Sequence, residues 1–207
     1  GQIQRISIAR AILKDAPKMR KILWRNKMKV YDSVQRVLVS KEELQKRIAE
    51  IGSEISREYE GKQLLMVCIL RGSAIFFADL VRAIDIPVRM DFMAISSYGS
   101  GARSSGEVRM VKDLNTKIED LHVIIVEDII DSGYTIKYLK NLLSQRNPAS
   151  LKVCTLLDKP ERREVDIEGD YVGFKIPNEF VIGYGLDYAE DYRNIPEVCV
   201  IAPSAIK

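Results

Sequence analysis

The chain of 207 residues has few of the side chains that build metal clusters or disulfide frameworks, with three cysteines and one histidine. Cys68, Cys154 and Cys199 are far apart and odd in number, so we expect buried reduced thiols and no disulfide framework. His122 stands alone at the head of an apolar stretch, and we expect it to be structural. Any catalytic acid or base must then be a carboxylate, a lysine or a tyrosine.

Long apolar runs are also missing. The longest, residues 64–70, has the length of a strand, as does the shorter run 123–126, and both fall well short of the ~18 apolar residues that a membrane-spanning helix needs. Hydrophobic residues make up 46% and charged residues 29% of the chain, which is close to the average of globular proteins and argues against disorder. We therefore predict a cytoplasmic globular protein with no membrane partner.

Positive charge is distributed unevenly along the chain. Residues 1–30 contain nine lysines or arginines and one acid, Asp15, whereas the remaining residues contain 23 basic and 28 acidic side chains. The net charge of +3 thus comes from the leading segment, while the body of the chain is acidic. We therefore predict no nucleic-acid partner.

The leading segment has its own pattern. Residues 1–17 place apolar side chains at helical spacing and end at Pro17, which predicts a basic amphipathic helix. This stretch resembles the helix that follows the signature loop of ATP-binding-cassette ATPases, but no G-x-x-x-x-G-K-[ST] loop accompanies it, so it is not expected to hydrolyse ATP alone. We interpret residues 1–29 as a helical leader, either a fusion or gene-model remnant ahead of a start near Met28 or a targeting peptide. Residues 30–207 are predicted to form one domain.

From residue 30 onward strand and helix patterns alternate, which predicts parallel βαβ units in an α/β fold, with a mostly parallel central sheet flanked by helices. Ser40 and Glu43 have the spacing of a capping box ahead of an amphipathic helix that ends at Gly61. Strands are predicted at 64–70, 88–95, 107–111, 122–127 and 151–157, and further helices at 75–84 and 133–146. Residues 171–201, whose short apolar runs are broken by proline and glycine, are expected to form a small C-terminal hood.

The most informative segment is Val123–Thr135, with the sequence VIIVEDIIDSGYT. An apolar strand ends in Glu127 and Asp128, and a short loop containing Asp131 and Gly133 opens a helix. A helix N-terminus that carries serine, glycine and threonine can bind phosphate through its N–H groups and hydroxyls. Acids beside such an anion make sense only if they bind a metal or sugar hydroxyls, or accept a proton.

This segment resembles the phosphoribosyl diphosphate (PRPP) signature of type I phosphoribosyltransferases, and residues 34–201 together resemble the bacterial hypoxanthine-guanine phosphoribosyltransferases. The resemblance implies the type I phosphoribosyltransferase fold. It also implies that Glu127 and Asp128 hold the ribose hydroxyls and that Asp131 is the general base facing N7 of the purine. The 5′-phosphate is expected to be bound by Asp131, Ser132, Gly133, Tyr134 and Thr135.

Four further segments match the same family: Leu70–Ser73, residues 96–106, the segment around Lys159, and the C-terminal segment that contains Phe180 and Arg193. Leu70–Ser73 resembles the pyrophosphate loop, in which a cis peptide precedes the basic residue, here Arg71, and Gly72 follows. The Ser- and Gly-rich residues 96–106 resemble a mobile lid, so Ser97 and Tyr98 are expected to bind PRPP. By the same resemblance the purine is bound by Lys159, Phe180 and Val181, the pyrophosphate by Arg193, and magnesium by Asp187 and Glu127.

The implied reaction is purine salvage: transfer of 5-phosphoribosyl from PRPP to N9 of hypoxanthine or guanine, with Mg²⁺, giving IMP or GMP and pyrophosphate. A lysine such as Lys159 has donors only, which favours an oxygen at C6 over the amino group of adenine. Two alternatives remain open, a xanthine-preferring relative and a regulator of the same fold that binds RNA or DNA. The resemblance also implies a homodimer or homotetramer.

Overall fold

The computed structural model describes residues 30–97 and 108–206. The chain divides into two units, Gly1–Ser33 and Val34–Lys207, and the described part of the first is the 3-10 turn Val30–Ser33. The helix predicted over residues 1–17 and most of the predicted lid, including Tyr98, lie outside the described residues, as does the side chain of Ser97.

The second unit alternates strands and helices in the predicted manner. In chain order its described strands are β1 (Val34–Val39), β2 (Leu64–Leu70), β3 (Val88–Ser97), β4 (Val108–Lys112), β5 (His122–Ile130), β6 (Ser150–Asp158), β7 (Tyr171–Lys175), β8 (Val181–Ile182) and β9 (Val198–Ile201). Its helices are α1 (Lys41–Glu58), α2 (Ala74–Ala83) and α3 (Tyr134–Ser144), with short 3-10 turns at Pro160–Arg162 and Pro203–Ala205.

Among the described strands, six form a central sheet in the order β4-β3-β2-β5-β6-β7. Strands β3, β2, β5, β6 and β7 run parallel to one another, and β4 pairs antiparallel with β3 at the edge. Because parallel strands end at the same edge of a sheet, the loops after β2, β5 and β6 lie side by side. The predicted mostly parallel sheet is confirmed.

Helices cover both faces of this sheet. Alternate residues of β2 belong to two different hydrophobic clusters, Met66 and Cys68 to one and Leu65 and Val67 to the other. Helices α1 and α2 contribute to the first cluster and α3 to the second. A strand buried on both sides is apolar at every position, which explains the continuous run LLMVCIL.

The start of α1 has the predicted capping box. The side chain of Ser40 accepts a hydrogen bond from the backbone N–H of Glu43 at 3.3 Å, and Glu43 Oε2 accepts one from the backbone N–H of Ser40 at 2.8 Å. The two side chains thereby bind backbone donors that the first helical turn leaves unpaired. This prediction from two residues of sequence is confirmed.

The C-terminal part differs from the prediction in two respects. Tyr171–Lys175, expected in the hood, forms β7 and pairs with β6 in the central sheet. A separate antiparallel sheet in the order β1-β9-β8 joins the two strands β8 and β9 of the C-terminal segment to Val34–Val39, for which the sequence predicts no strand. The hood therefore uses residues from both ends of the unit.

The sparse residue types have the expected structural roles. All three cysteines are buried and free. The Nδ1 atom of His122 lies 2.8 Å from the hydroxyl of Ser150, and its ring meets that of Tyr59 edge-on at 5.6 Å between centroids. Over residues 30–97 and 108–206, no helix has both the length and the apolar character needed to cross a membrane.

Candidate active site

Three segments that contain predicted site residues lie at the carboxyl edge of the central sheet. Asp128 lies near the end of β5, the loop Arg71–Ser73 follows β2, and Lys159 directly follows β6. The backbone N–H of Lys159 donates to the carbonyl of Ile130 at 3.0 Å, which joins the ends of β5 and β6. The sheet thus brings together three segments that are separated in sequence.

The acid pair at the end of β5 is strongly desolvated. Burial raises the pKa of Glu127 well above its usual value, and the charge of Asp128 raises it further. Burial also raises the pKa of Asp128 to about 6, although the backbone N–H of Ile129 donates to its carboxylate at 2.8 Å. The Oε2 atom of Glu127 is buried without a hydrogen-bond partner among the described atoms. A buried carboxylate oxygen of this kind suits a cation or a hydroxyl donor.

The loop after β2 approaches this acid pair closely. The Leu70–Arg71 peptide is cis, as the resemblance to the family implies. A Cβ atom at Gly72 would lie 1.6 Å from Oδ2 of Asp128, and one at Gly185 would lie 2.0 Å from the carbonyl oxygen of Gly72. Any side chain at Gly72 would displace the carboxylate of Asp128, and Gly185, which has a positive φ and meets backbone, requires glycine. The loop after β2, Asp128 and the C-terminal segment therefore contact one another here. The exposed side chain of Arg71 donates to Glu190 at 2.6 Å.

The turn between β5 and α3 has the form of an anion cradle. Gly133 precedes α3 with φ of 92°, a conformation that glycine adopts without strain. The first helical hydrogen bond runs from the N–H of Lys137 to the carbonyl of Gly133 at 3.0 Å, so the amide groups of the preceding turn have no helical acceptor. Such amides, with the hydroxyls of Ser132 and Thr135, can hold a phosphate.

Asp131 and Lys159 are close enough to interact electrostatically. Lys159 is only 7% exposed, and burial lowers the pKa of its ammonium, while the negative charge of Asp131 opposes that shift. The carboxylate of Asp131 accepts a hydrogen bond from Nε of Arg162 at 3.0 Å. Arg163 also contacts this residue, donating from Nη1 to its backbone carbonyl at 2.6 Å. Neither arginine is singled out by the sequence.

The C-terminal segment supplies an aromatic ring and a second charged cluster. Phe180 is 50% exposed and meets the ring of Tyr188 edge-on at 5.7 Å, whereas Val181 is buried in β8. Asp187 pairs with Nη2 of Arg193 at 2.7 Å, and Nη1 of Arg193 donates to the carbonyl of Gly185 at 2.8 Å. The arginine thus ties Asp187 to the glycine that contacts the loop after β2.

Comparison with known proteins agrees with this geometry. The family model described as "Phosphoribosyl transferase domain" matches residues 38–189. The chain belongs to the phosphoribosyltransferase family.

Sequence alignments with individual relatives extend over most of this phosphoribosyltransferase. It is 49% identical over 171 residues to the hypoxanthine-guanine phosphoribosyltransferase of Bacillus subtilis, a match that covers 83% of this chain and 95% of the relative. It is 52% identical over 174 residues to the bifunctional protein TilS/HprT of Listeria monocytogenes, covering 84% of this chain. The match spans only 27% of the length of that bifunctional relative.

Solved structures agree in fold. The crystal structure of a hypoxanthine phosphoribosyltransferase from Staphylococcus aureus superposes with a TM-score of 0.83 at 45% identity, covering 88% of this chain and all of the other. A hypoxanthine-guanine phosphoribosyltransferase from Bacillus anthracis, with HEPES in its active site, superposes with a TM-score of 0.78 at 46% identity, covering 82% of this chain and 99% of the other. The type I phosphoribosyltransferase fold expected from the sequence is confirmed.

The carboxylates at the site of this phosphoribosyltransferase fit a magnesium ion that takes some of its ligands from the protein and the others from a phosphate substrate. Within the described residues, no three acidic, histidine or cysteine side chains converge to hold a metal by themselves. Glu127 nevertheless has an unpartnered buried oxygen, and the charge of Asp187 acts on neighbouring Asp128. Mg²⁺ usually takes one or two carboxylates together with substrate phosphates and water, which suits this arrangement.

Proposed function

We propose that the chain catalyses purine salvage by transferring the 5-phosphoribosyl group of PRPP to N9 of hypoxanthine or guanine, which gives IMP or GMP and pyrophosphate. The observation that carries this proposal is the meeting of the Gly72 loop, the desolvated acids Glu127 and Asp128, and the Asp131–Lys159 pair at one sheet edge. Relatives named hypoxanthine-guanine phosphoribosyltransferase, about half identical to the chain, support it.

The ribose and phosphate of PRPP have matching groups in this site. Glu127 and Asp128 accept hydrogen bonds from the two ribose hydroxyls, which replaces the water that burial removes from these carboxylates. The 5′-phosphate is held by the backbone amides and hydroxyls of residues 131–135 at the N-terminus of α3. Ser97 and Tyr98 are proposed to close over PRPP.

Negative charge develops on the pyrophosphate as the glycosidic bond breaks. Arg71 and Arg193, with the amides of the Gly72 loop, stabilise this charge in the transition state. Bound at Glu127 and Asp187, Mg²⁺ would supply additional positive charge to the phosphate oxygens. Arg193 already contacts Asp187 and the carbonyl of Gly185, so it is held close to the loop that binds the leaving group.

The purine is recognised by three groups. Lys159 donates to the 6-oxo oxygen, Phe180 stacks on the ring through its exposed face, and the backbone of Val181 contacts the edge of the base. Asp131 accepts the proton that the purine loses as N9 becomes bonded to the sugar. Burial of Lys159 strengthens its hydrogen bond to an oxygen, because the charge is less screened than in water.

A panel of bases tests this function. Purified protein is incubated with PRPP, Mg²⁺ and radiolabelled hypoxanthine, guanine, xanthine or adenine, and the nucleotides are separated. We expect IMP and GMP, with adenine poorly used. Faster turnover of xanthine would identify a xanthine-preferring enzyme. Absence of all nucleotide products together with tight binding of RNA would favour the regulator.

We further propose that the protein acts in the cytoplasm as a homodimer or homotetramer. Three buried free thiols suit a reducing compartment, although burial also protects them. Light scattering after size-exclusion chromatography measures the assembly directly, and a monomer at micromolar concentration would contradict the second part of the proposal.

A further inference from the structure

Two adjacent arginines reach Asp131 from different sides. Arg162 contacts its carboxylate at the surface, whereas Arg163 contacts its backbone carbonyl. The side chain of Arg163 is 16% exposed, compared with 48% for Arg162. Because exposed ion pairs contribute little and are screened by salt, Arg163 is the better candidate for a specific role.

Arg163 spans two of the segments that form the site. Its Nη2 atom pairs with the carboxylate of Asp158, the last residue of β6, and its Nη1 atom donates to the carbonyl of Asp131 at 2.6 Å. Asp158 is buried and immediately precedes Lys159. One guanidinium therefore holds the loop that carries Asp131 to the end of β6, directly before Lys159.

The residues after Arg163 support the same loop. The backbone N–H of Glu164 donates to the carbonyl of Ser132 at 3.0 Å. A Cβ atom at Gly133 would lie 2.6 Å from a methyl group of Ile167 and 2.9 Å from one of Val165. The segment 163–167 thus packs against the turn that precedes α3, and Arg163 fixes the segment to Asp131 and Asp158 through its charged side chain.

The planar guanidinium suits this position. It presents donors in a fixed fork, so it can bind the carboxylate and the carbonyl at once with their separation set by its own geometry. A lysine keeps the charge toward Asp158 but has no such fork. Since the bond goes to the carbonyl of Asp131, Arg163 controls the position of the residue without occupying its carboxylate.

We propose that Arg163 is a positioning residue, which fixes the Asp131 loop relative to Lys159 so that the proton acceptor and the 6-oxo donor address the same purine. This inference rests on the proposed function for its kinetic consequence. Its structural consequence is the stability of the backbone of residues 131–135, which amide hydrogen exchange measures without turnover.

The test compares Arg163→Gln and Arg163→Lys with Arg146→Gln. Arg146 is a matched control because it forms a two-bond ion pair with Asp113, at 2.8 and 2.9 Å, outside the site. Displacing a catalytic group by about 1 Å can reduce the rate about 100-fold, so kcat should fall by roughly 10- to 100-fold in both Arg163 variants and by less than about threefold in the control. Amide hydrogen exchange at residues 131–135 should accelerate in the Arg163 variants only.

The outcomes separate this inference from the proposed function. If wild-type protein makes no nucleotide, the proposed function fails, and exchange at residues 131–135 still decides whether Arg163 fixes the loop. If either folded Arg163 variant keeps kcat and exchange rates like the control, the inference is overturned. If Arg163→Gln fails to fold, Arg163→Lys serves as the test, because it retains the positive charge beside Asp158.

Discussion

At the level of single residues, the site depends on carboxylates and a lysine that are kept away from water. Asp131 differs from Glu127 and Asp128 because its carboxylate is partly exposed and hydrogen-bonded to an arginine. The desolvated pair near the end of β5 is suited to accepting hydrogen bonds or a cation, whereas Asp131 lies next to the cradle turn and close to Lys159. Each role follows from the surroundings of the carboxylate.

Replacing Asp131 with asparagine should remove the proton acceptor while preserving shape. General-base catalysis contributes about 10²- to 10⁴-fold, so kcat should fall within that range while PRPP still binds. Bases that are more acidic should be affected less, because they need less help in losing the proton. Steady-state kinetics across bases of graded acidity, with PRPP affinity measured by calorimetry, provide the check. Unchanged kcat, or a collapse of PRPP binding, would assign Asp131 a structural role.

Lys159→Gln should mainly weaken recognition of the purine. Glutamine still donates a hydrogen bond but carries no charge, and a hydrogen bond to a charged group contributes about 1.5–3 kcal/mol. KM for hypoxanthine should therefore rise by roughly tenfold or more, with a smaller change in KM for PRPP. Equal increases in both Michaelis constants would show that Lys159 does not contact the base.

The buried charge of Asp128 should make stability depend on pH. Its pKa is raised to about 6 in the folded protein from an ordinary value of 3.8, so the folded state holds the proton more tightly than the unfolded state. The free energy of unfolding should therefore fall as pH rises from about 4 through about 6. Asp128→Asn should be more stable than wild type at pH 7.5 by roughly 1–3 kcal/mol and lose this advantage near pH 4.5.

Urea unfolding of both proteins at the two pH values, in EDTA and without substrate, measures this difference. A wild-type protein that is the more stable of the two at pH 7.5 would contradict the assignment of Asp128 as a desolvated carboxylate.

At the level of elements, close approach between loops requires glycine. Gly72→Ala would place a methyl group on the carboxylate of Asp128, which must move. We expect KM for PRPP to rise at least about tenfold and stability to fall by about 1–3 kcal/mol, the usual cost of overpacking. Gly61→Ala is the control for the steric clash, since no atom lies within 4 Å of the Cβ position at Gly61. With a positive φ of 73°, it should lose stability through backbone strain but leave KM for PRPP unchanged. A similar KM for PRPP in both variants would argue against the loop as part of the site.

Elements with strong local signals were predictable from the sequence. Strand β2 and residues 123–126 of β5 are continuously apolar because helices cover both faces of the sheet, and α1 begins with a capping box that two residues specify. Strand β1 was missed because three of its six residues, VQRVLV, are consecutive and exposed, and its partner β9 lies more than 150 residues away. Strand β7 was assigned to the hood because five residues without a following helix gave no βαβ signal.

The position of the candidate site in the fold was predictable where a motif carries several residues together. The segment Val123–Thr135 and the loop at Leu70–Ser73 were found in this way, including the cis peptide. Arg162 and Arg163 were missed because arginines in a charged stretch are usually solvated, and only the fold brings them onto Asp131. A usable signal was present, since both arginines follow Lys159 within four residues.

At the level of the whole molecule, the family match and the described fold begin beyond the leading segment. The family model starts at residue 38, and the central sheet, both helical layers and the candidate site belong to the unit Val34–Lys207. We therefore expect that deleting residues 1–27 leaves the melting temperature and kcat nearly unchanged. Thermal unfolding and kinetics of the truncated protein test this. Loss of soluble expression, or a tenfold lower kcat, would show that the segment contributes to the working fold.

The balance of products tests the central claim most directly. The acid pair, the cradle and the purine groups are proposed to couple cleavage of PRPP to attachment of a base. Wild-type protein with Mg²⁺, PRPP and labelled hypoxanthine should release one pyrophosphate for each IMP formed, and little pyrophosphate when the base is omitted. Release of pyrophosphate without IMP would show hydrolysis in place of transfer, and neither product would show that the site does not perform this chemistry.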